Sequence, residues 1–111
     1  MKESVINKSI QDWLVSQGAY VIKTIVTNRN GVPDIIACLN GHFLSVEGKT
    51  LQGRVSELQV LHAQNICRAG GLAIVTSSLD KVKEVVSGWV NSGYKPLMVI
   101  TTGINIRRFN V

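Results

Sequence analysis

A chain of 111 residues suits one domain with one core, and 45% hydrophobic against 17% charged residues is too apolar a balance for disorder. No apolar run approaches the roughly 18 uncharged residues of a membrane span, so no membrane association is expected. Twelve Lys and Arg against seven Asp and Glu give a net charge of +5 and a pI near 9.6. That balance points to an anionic partner such as nucleic acid, although a charge of this size also serves plain solubility.

Ile6, Ile10, Trp13 and Leu14 recur at the i, i+4, i+7, i+8 spacing of an amphipathic helix that Gly18 ends. Glu3 falls at the N-terminal edge of its buried face. A carboxylate there either interacts with the positive end of the helix dipole or reaches out as an acid of a site, and local sequence favours the dipole. Residues 1–18 contain no unbroken apolar stretch, so a secretory signal is not expected and the chain is expected in the cytoplasm. Tyr20 to Val26 is β-branched and aromatic and predicts a strand, followed by a polar loop through Asn28-Arg29-Asn30-Gly31. Pro33 lacks a ladder donor and suits the first position of the next strand.

Asn40-Gly41 is the strongest short-range signal for a two-residue hairpin turn. With those two as the loop, Leu39 faces His42, strands Asp34–Leu39 and Phe43–Lys49 pair, and Asp34 lands opposite Glu47. Directly opposed side chains have Cβ atoms about 4.5–5.5 Å apart, and like charges there destabilise the sheet unless a cation lies between them. Lys49 shares the face of Glu47 because strand side chains alternate. Two carboxylates and a Lys on a rigid hairpin outline a divalent-metal site for phosphodiester cleavage. Both hairpin faces carry apolar residues (Ile35, Ala37, Leu44 and Val46; Ile36, Cys38 and Phe43), so the hairpin is expected to be central and covered on both sides. His42 has the opposite parity to Glu47 and is not expected to be a ligand.

Ser56-x-x-Gln59 fits a capping box opening a helix over Glu57–Ala69, which gives Gln59 a purely structural use. His62, one turn later, either borders the site or, as is more usual for a lone helical His, serves as partly buried structure or a DNA contact. Leu72–Thr76 predicts a buried strand, and Ser77-x-x-Asp80 opens a third helix striped by Leu79, Val82, Val86, Trp89 and Val90. Leu97–Thr101 reads as a further strand, and Asn105 to Val111, with Arg107-Arg108, as a basic tail or a subunit contact. Cys38 and Cys67 have no metal-ligand spacing and read as reduced core residues. The expected fold class is α/β: a small mixed β-sheet flanked by helices, with Leu72–Thr76 parallel to Phe43–Lys49 through a right-handed crossover.

Gly31-Val32-Pro33-Asp34, the strand ending in Glu47-x-Lys49, the following Gln59 and this element order resemble the PD-(D/E)XK nuclease superfamily. Within it they are similar to a stand-alone VRR-NUC domain of the kind found in phage genomes, over roughly residues 3 to 86. The resemblance implies an αβββαβ restriction-endonuclease-like core plus a C-terminal helix, in a single nuclease domain over residues 1–111. It implies Mg²⁺ or Mn²⁺ bound by Asp34, Glu47 and the Gly48 carbonyl, Lys49 positioning or activating the attacking water, and Glu3 and Gln59 completing the catalytic set. Gly48 departs from the apolar residue usual there, a change that a carbonyl ligand survives. The implied activity is endonucleolytic hydrolysis of DNA, branched or double-stranded, by a homodimer that resembles Holliday-junction resolvases. Trp89 and Leu97–Ile100 are candidates for its interface or equally for the edge of the core, and the location would be the host cytoplasm if the gene is phage-borne. Lys23, Arg29 and Arg54 flank the site and are candidate DNA contacts. The alternatives are a non-catalytic nucleic-acid-binding module or an accessory subunit of a recombination complex, neither of which needs opposed carboxylates near phosphate.

Overall fold

In the computed structural model, which describes residues 2–102 and the backbone of 106–110, Asn40 and Gly41 take φ of 52° and 83°. Positive φ at both positions is what a type I′ turn requires, and Leu39 accordingly pairs with His42. The turn joins β2 (Ile35–Leu39) to β3 (His42–Gly48). Around them lie α1 (Glu3–Ser16), β1 (Tyr20–Lys23), α2 (Glu57–Arg68), β4 (Leu72–Thr76), α3 (Leu79–Asn91), β5 (Leu97–Thr101) and β6 (Ile106–Asn110). The strands form one mixed sheet in the order β1-β2-β3-β4-β5-β6. β1 to β3 are antiparallel, β4 and β5 run parallel to β3, and β6 returns antiparallel along β5. This is the expected α/β class, and among the described residues no helix is long and apolar enough to cross a membrane.

Alternation splits the core between the two faces of the sheet. Ile35, Ala37, Leu44, Val46, Leu72 and Ile74 pack against Ile6, Ile10 and Leu14 of α1 and Val82, Val86 and Trp89 of α3. On the other face Ala73, Val75, Met98 and Ile100 lie beneath Ala63 and Cys67 of α2. A helix is about 10 Å across and strands are about 4.8 Å apart, so one helix covers two strands and little more. The α2 face of β1, β2 and the start of β3 is therefore open: Tyr20 is 71% exposed, Phe43 45%, and Cys38 is exposed too. This corrects the expectation of a hairpin covered on both sides and of Cys38 as a core residue; Cys67 is buried as expected.

Three further expectations change. β1 ends at Lys23, because in its register with β2 the residue opposite Ile25 is Pro33, which has no N–H to donate. Ile25 and Val26 are consequently 88% and 89% exposed on the loop. Of the two readings of Trp89 and Leu97–Ile100, interface or edge of the core, the core holds for Trp89, Met98, Val99 and Ile100, each no more than 3% exposed. Residues 106–110 form an edge strand, which replaces the tail of the two readings, tail or subunit contact, that the sequence left open; Asn105 and Val111 of that segment lie outside the described residues.

The third helix also starts one residue later than the Ser77 motif suggests, with the Ser78 hydroxyl accepting from Lys81 N at 3.2 Å. Ser78→Ala is expected to cost about 1 kcal/mol of stability in urea denaturation, and Ser77→Ala to stay within about 0.5 kcal/mol. Equal losses would contradict the Ser78 cap.

Candidate metal centre

The hairpin register carries the chain from the turn to its open end, where regular pairing stops at Ile35 and Val46. The next rung would set Asp34 against Glu47. There the Asp34 N–H donates to the Glu47 carboxylate, at 3.0 Å from Oε1, while the Asp34 carbonyl accepts from Thr24 N at 2.8 Å. β2 thus begins one residue after the expected Asp34, because a side-chain oxygen takes the donor that a ladder carbonyl would have used. Glu3, in the first turn of α1, reaches the same place. One carboxylate oxygen from each of Glu3, Asp34 and Glu47 lies within 4.8 Å of the others. Glu47 is buried, Asp34 half-buried and Glu3 exposed.

Several groups hold these acids. Asn7, one turn along α1 from Glu3 and only 4% exposed, donates from Nδ2 to Asp34 Oδ2 at 3.1 Å. Lys23 Nζ stands 3.9 Å from Asp34 Oδ1, so this predicted DNA contact also neighbours the acid cluster. Lys49 is fixed to β4 by its own N–H, which donates to the Thr76 carbonyl at 2.9 Å. Asn7 was not singled out in the sequence; the available signal was an amide between Ile6 and Ile10, at i+4 from Glu3 on the same helix face.

Burial pushes the Glu47 carboxyl up to about 8, with the negative charge of Asp34 and a hydrogen bond between the two carboxyls adding to the rise. The Lys49 ammonium and the Asp34 N–H pull it down without offsetting that. A carboxyl that burial and the neighbouring Asp34 charge hold protonated near neutrality, with two further carboxylates within reach, offers an oxygen donor set that fits a divalent cation.

The remaining predicted residues lie around this cluster. Gln59 caps its own helix: its Oε1 accepts from Ser56 N at 3.0 Å, and its N–H donates to Ser56 Oγ at 3.1 Å. Arg29 is exposed on the loop between β1 and β2, where a cavity of about 360 Å³ runs past Thr24, Asn30 and Asp34. That loop is pinned to α2. His62 Nε2 donates to the Asn30 carbonyl at 2.8 Å, and Gly31, at φ 77°, packs where a Cβ would come within 2.7 Å of Leu58 Cγ. Arg54 is exposed in the segment leading into α2. His42 stacks on Tyr94 with ring centroids 3.9 Å apart, on the α3 side of the sheet, as its parity indicates.

The Glu47 shift has a consequence for stability. A carboxyl raised from 4.5 to about 8 binds its proton more tightly in the folded chain, so in the metal-free protein the contribution of Glu47 to stability is fully present below about pH 4.5 and is lost as pH rises through about 8. Metal-free melting temperature is expected to fall over that range, and Glu47→Gln to flatten the slope. Because a metal displaces the proton, Mn²⁺ affinity should rise with pH over the same interval. A wild-type melting temperature indifferent to pH would contradict this account.

No protein-family model matches the chain, and no curated protein matches it. Among solved structures, a VRR_NUC domain superposes with a TM-score of 0.68 at 21% identity, covering 78% of this chain and 96% of that one. Hjc of Archaeoglobus fulgidus, a Holliday junction resolvase from an archaeal hyperthermophile, aligns at 18% identity over 93% of this chain and 73% of its own, with a TM-score of 0.35, too loose for the two sites to be compared. At 21% identity the first likeness is one of architecture: the chain has the α/β, restriction-endonuclease-like fold of a VRR_NUC domain.

Proposed function

We propose that residues 1–111 form one nuclease domain that hydrolyses DNA phosphodiester bonds with Mg²⁺ or Mn²⁺. The observation that carries this reading is the convergence of Glu3, Asp34 and Glu47 within 4.8 Å at the open end of the β2–β3 hairpin, in a chain with the fold of a VRR_NUC domain. Asp34, Glu47 and the Gly48 carbonyl would hold the ion, with Glu3 beside them. When bound, the ion supplies Lewis-acid polarisation of a phosphoryl oxygen and lowers the pKa of a ligated water. The chain's own residues do the rest. Glu47 gives up its proton to become a ligand. Lys49 places a positive charge on the same face, where it stabilises negative charge developing on the phosphoryl oxygens and orients the attacking water. Gln59 belongs to the catalytic set in this reading, acting through the part of its amide that the cap does not use.

Lys23, Arg29 and Arg54 supply phosphate contacts around the acid pocket, consistent with the basic balance of the chain. A small domain gains DNA surface by pairing, and we include a homodimer acting on branched or double-stranded DNA in the cytoplasm, of the host if the gene is phage-borne. With Trp89 and Met98–Ile100 in the core, the open face bearing Tyr20, Ile22 and Phe43 is the apolar surface that supports it.

Purified protein incubated with linear, flapped and four-way DNA should cleave only when Mg²⁺ is added. Asp34→Ala or Glu47→Ala should abolish cleavage and leave the protein folded. Lys49→Ala should keep DNA binding and lose turnover, whereas Arg29→Ala or Arg54→Ala should weaken binding and reduce its salt dependence. Undiminished Mg²⁺-dependent cleavage by Asp34→Ala would refute the assignment.

Gln59→Glu, which can make the same capping bond, separates the two roles of that residue. We expect cleavage to fall while the melting temperature stays within about 2 °C of wild type. A wild-type rate would return Gln59 to the cap alone.

A further inference from the structure

Gly48 occupies the last position of β3, facing α1, and its backbone does not explain why it is glycine: its φ lies outside the left-handed region. Space explains it. A Cβ there would collide with Asn7 Oδ1, would stand 3.1 Å from Asn7 Cγ, and would press on Ile6 Cγ2 at 3.4 Å. The room that a side chain would take is filled by the Asn7 amide.

That amide is an odd choice for packing. Asn7 is 4% exposed, its Oδ1 is buried with no hydrogen-bond partner, and a buried unpaired acceptor is destabilising. An apolar side chain would fill the same space without that cost. What Asn7 provides in return is the Nδ2 donor to Asp34 Oδ2 at 3.1 Å, from the opposite side of the carboxyl to the Lys23 contact at Oδ1. A neutral donor holds a carboxylate in place without adding a positive charge to compete with a cation. Because Glu3 lies four residues earlier on the same helix face, the approach that seats Asn7 against Gly48 also carries Glu3 to the carboxylate cluster.

We propose that Gly48 and Asn7 are a matched pair: the absent side chain at Gly48 admits α1 to the end of β3, and Asn7, seated in that space, is a positioning residue that aims Asp34 at the cation. This rests on the reading of the three acids as a divalent-cation site. It gives Gly48 a second use, independent of whether its carbonyl is a ligand.

The test is a double-mutant cycle in the full chain without DNA, using Mn²⁺ alone as the probe in titration calorimetry and melting temperature in metal-free buffer. Asn7→Ala should lower Mn²⁺ affinity about 10- to 100-fold, the usual effect of losing a group that orients a metal ligand, with a small change in melting temperature. Gly48→Ala should lower both quantities. The double variant should recover most of the melting temperature lost in Gly48→Ala, since the methyl enters the space the amide vacated, while its Mn²⁺ affinity remains at the Asn7→Ala level. Wild-type Mn²⁺ affinity in Asn7→Ala, or a double variant whose melting loss is the sum of the two single losses, would overturn the pair.

Cleavage assayed in parallel keeps the two readings apart. A wild-type protein that binds Mn²⁺ and shows the coupling but cuts no DNA overturns the nuclease reading and supports the pair. Normal Mn²⁺ affinity and cleavage in Asn7→Ala overturns the pair and leaves the nuclease reading standing. Failure of the wild type to bind Mn²⁺ overturns both.

Discussion

Glu47 is 5% exposed beside a second carboxylate, and two acids so placed cannot both ionise without a counter-charge. This end of the sheet is shaped by that constraint. The Asp34 N–H turns from the ladder to a Glu47 oxygen, Lys49 follows the last residue of β3, and Asn7 and Lys23 approach Asp34 at its two oxygens. Burial first, and the Asp34 charge after it, keep the Glu47 carboxyl raised against the pull of Lys49 and the Asp34 N–H. A fold that keeps such a pair at a strand end has given up stability there, the usual mark of a functional site.

The sheet supplies the rigidity. β3 lies between an antiparallel partner and a parallel one, so Glu47 and Gly48 are fixed by β4, at Val75 and Thr76, while the hairpin turn sets the register from the other end. The helices are distributed unevenly across the two faces. α1 and α3 fill one, and α2 covers the other only around β4 and β5. The open strip runs along β1, β2 and the start of β3; farther along β3 on that face Ser45 and Glu47 are buried. The loop between β1 and β2 is tied to α2 at His62 and Leu58, which leaves a polar channel past Asp34.

What could be read from the sequence was whatever depends on local chemistry or on period. The Asn40-Gly41 turn determined the Asp34 and Glu47 register, the Ser56-x-x-Gln59 box formed as written, and parity sent His42 to the opposite face. What was not legible depends on contacts between distant segments. The exposure of Cys38 follows from where α2 lands, and the end of β1 from a Pro in its partner strand. The strand at residues 106–110 follows from the free edge of β5, which a run containing Arg107 and Arg108 does not advertise. Asn7 is the clearest case. Nothing near it in the chain shows that it will meet Gly48 and Asp34, and local sequence assigned Glu3 to the helix dipole until its helix was seen to end at the acids.

Crystals soaked in Mn²⁺ and measured at an anomalous-scattering wavelength test the central claim, that these carboxylates form a divalent-cation site. The account predicts an anomalous peak bound by both Asp34 and Glu47, at the roughly 2.0–2.2 Å expected for a small hard cation with oxygen ligands. A fully occupied Mn²⁺ elsewhere on the chain, with no peak at Asp34 and Glu47, would contradict it.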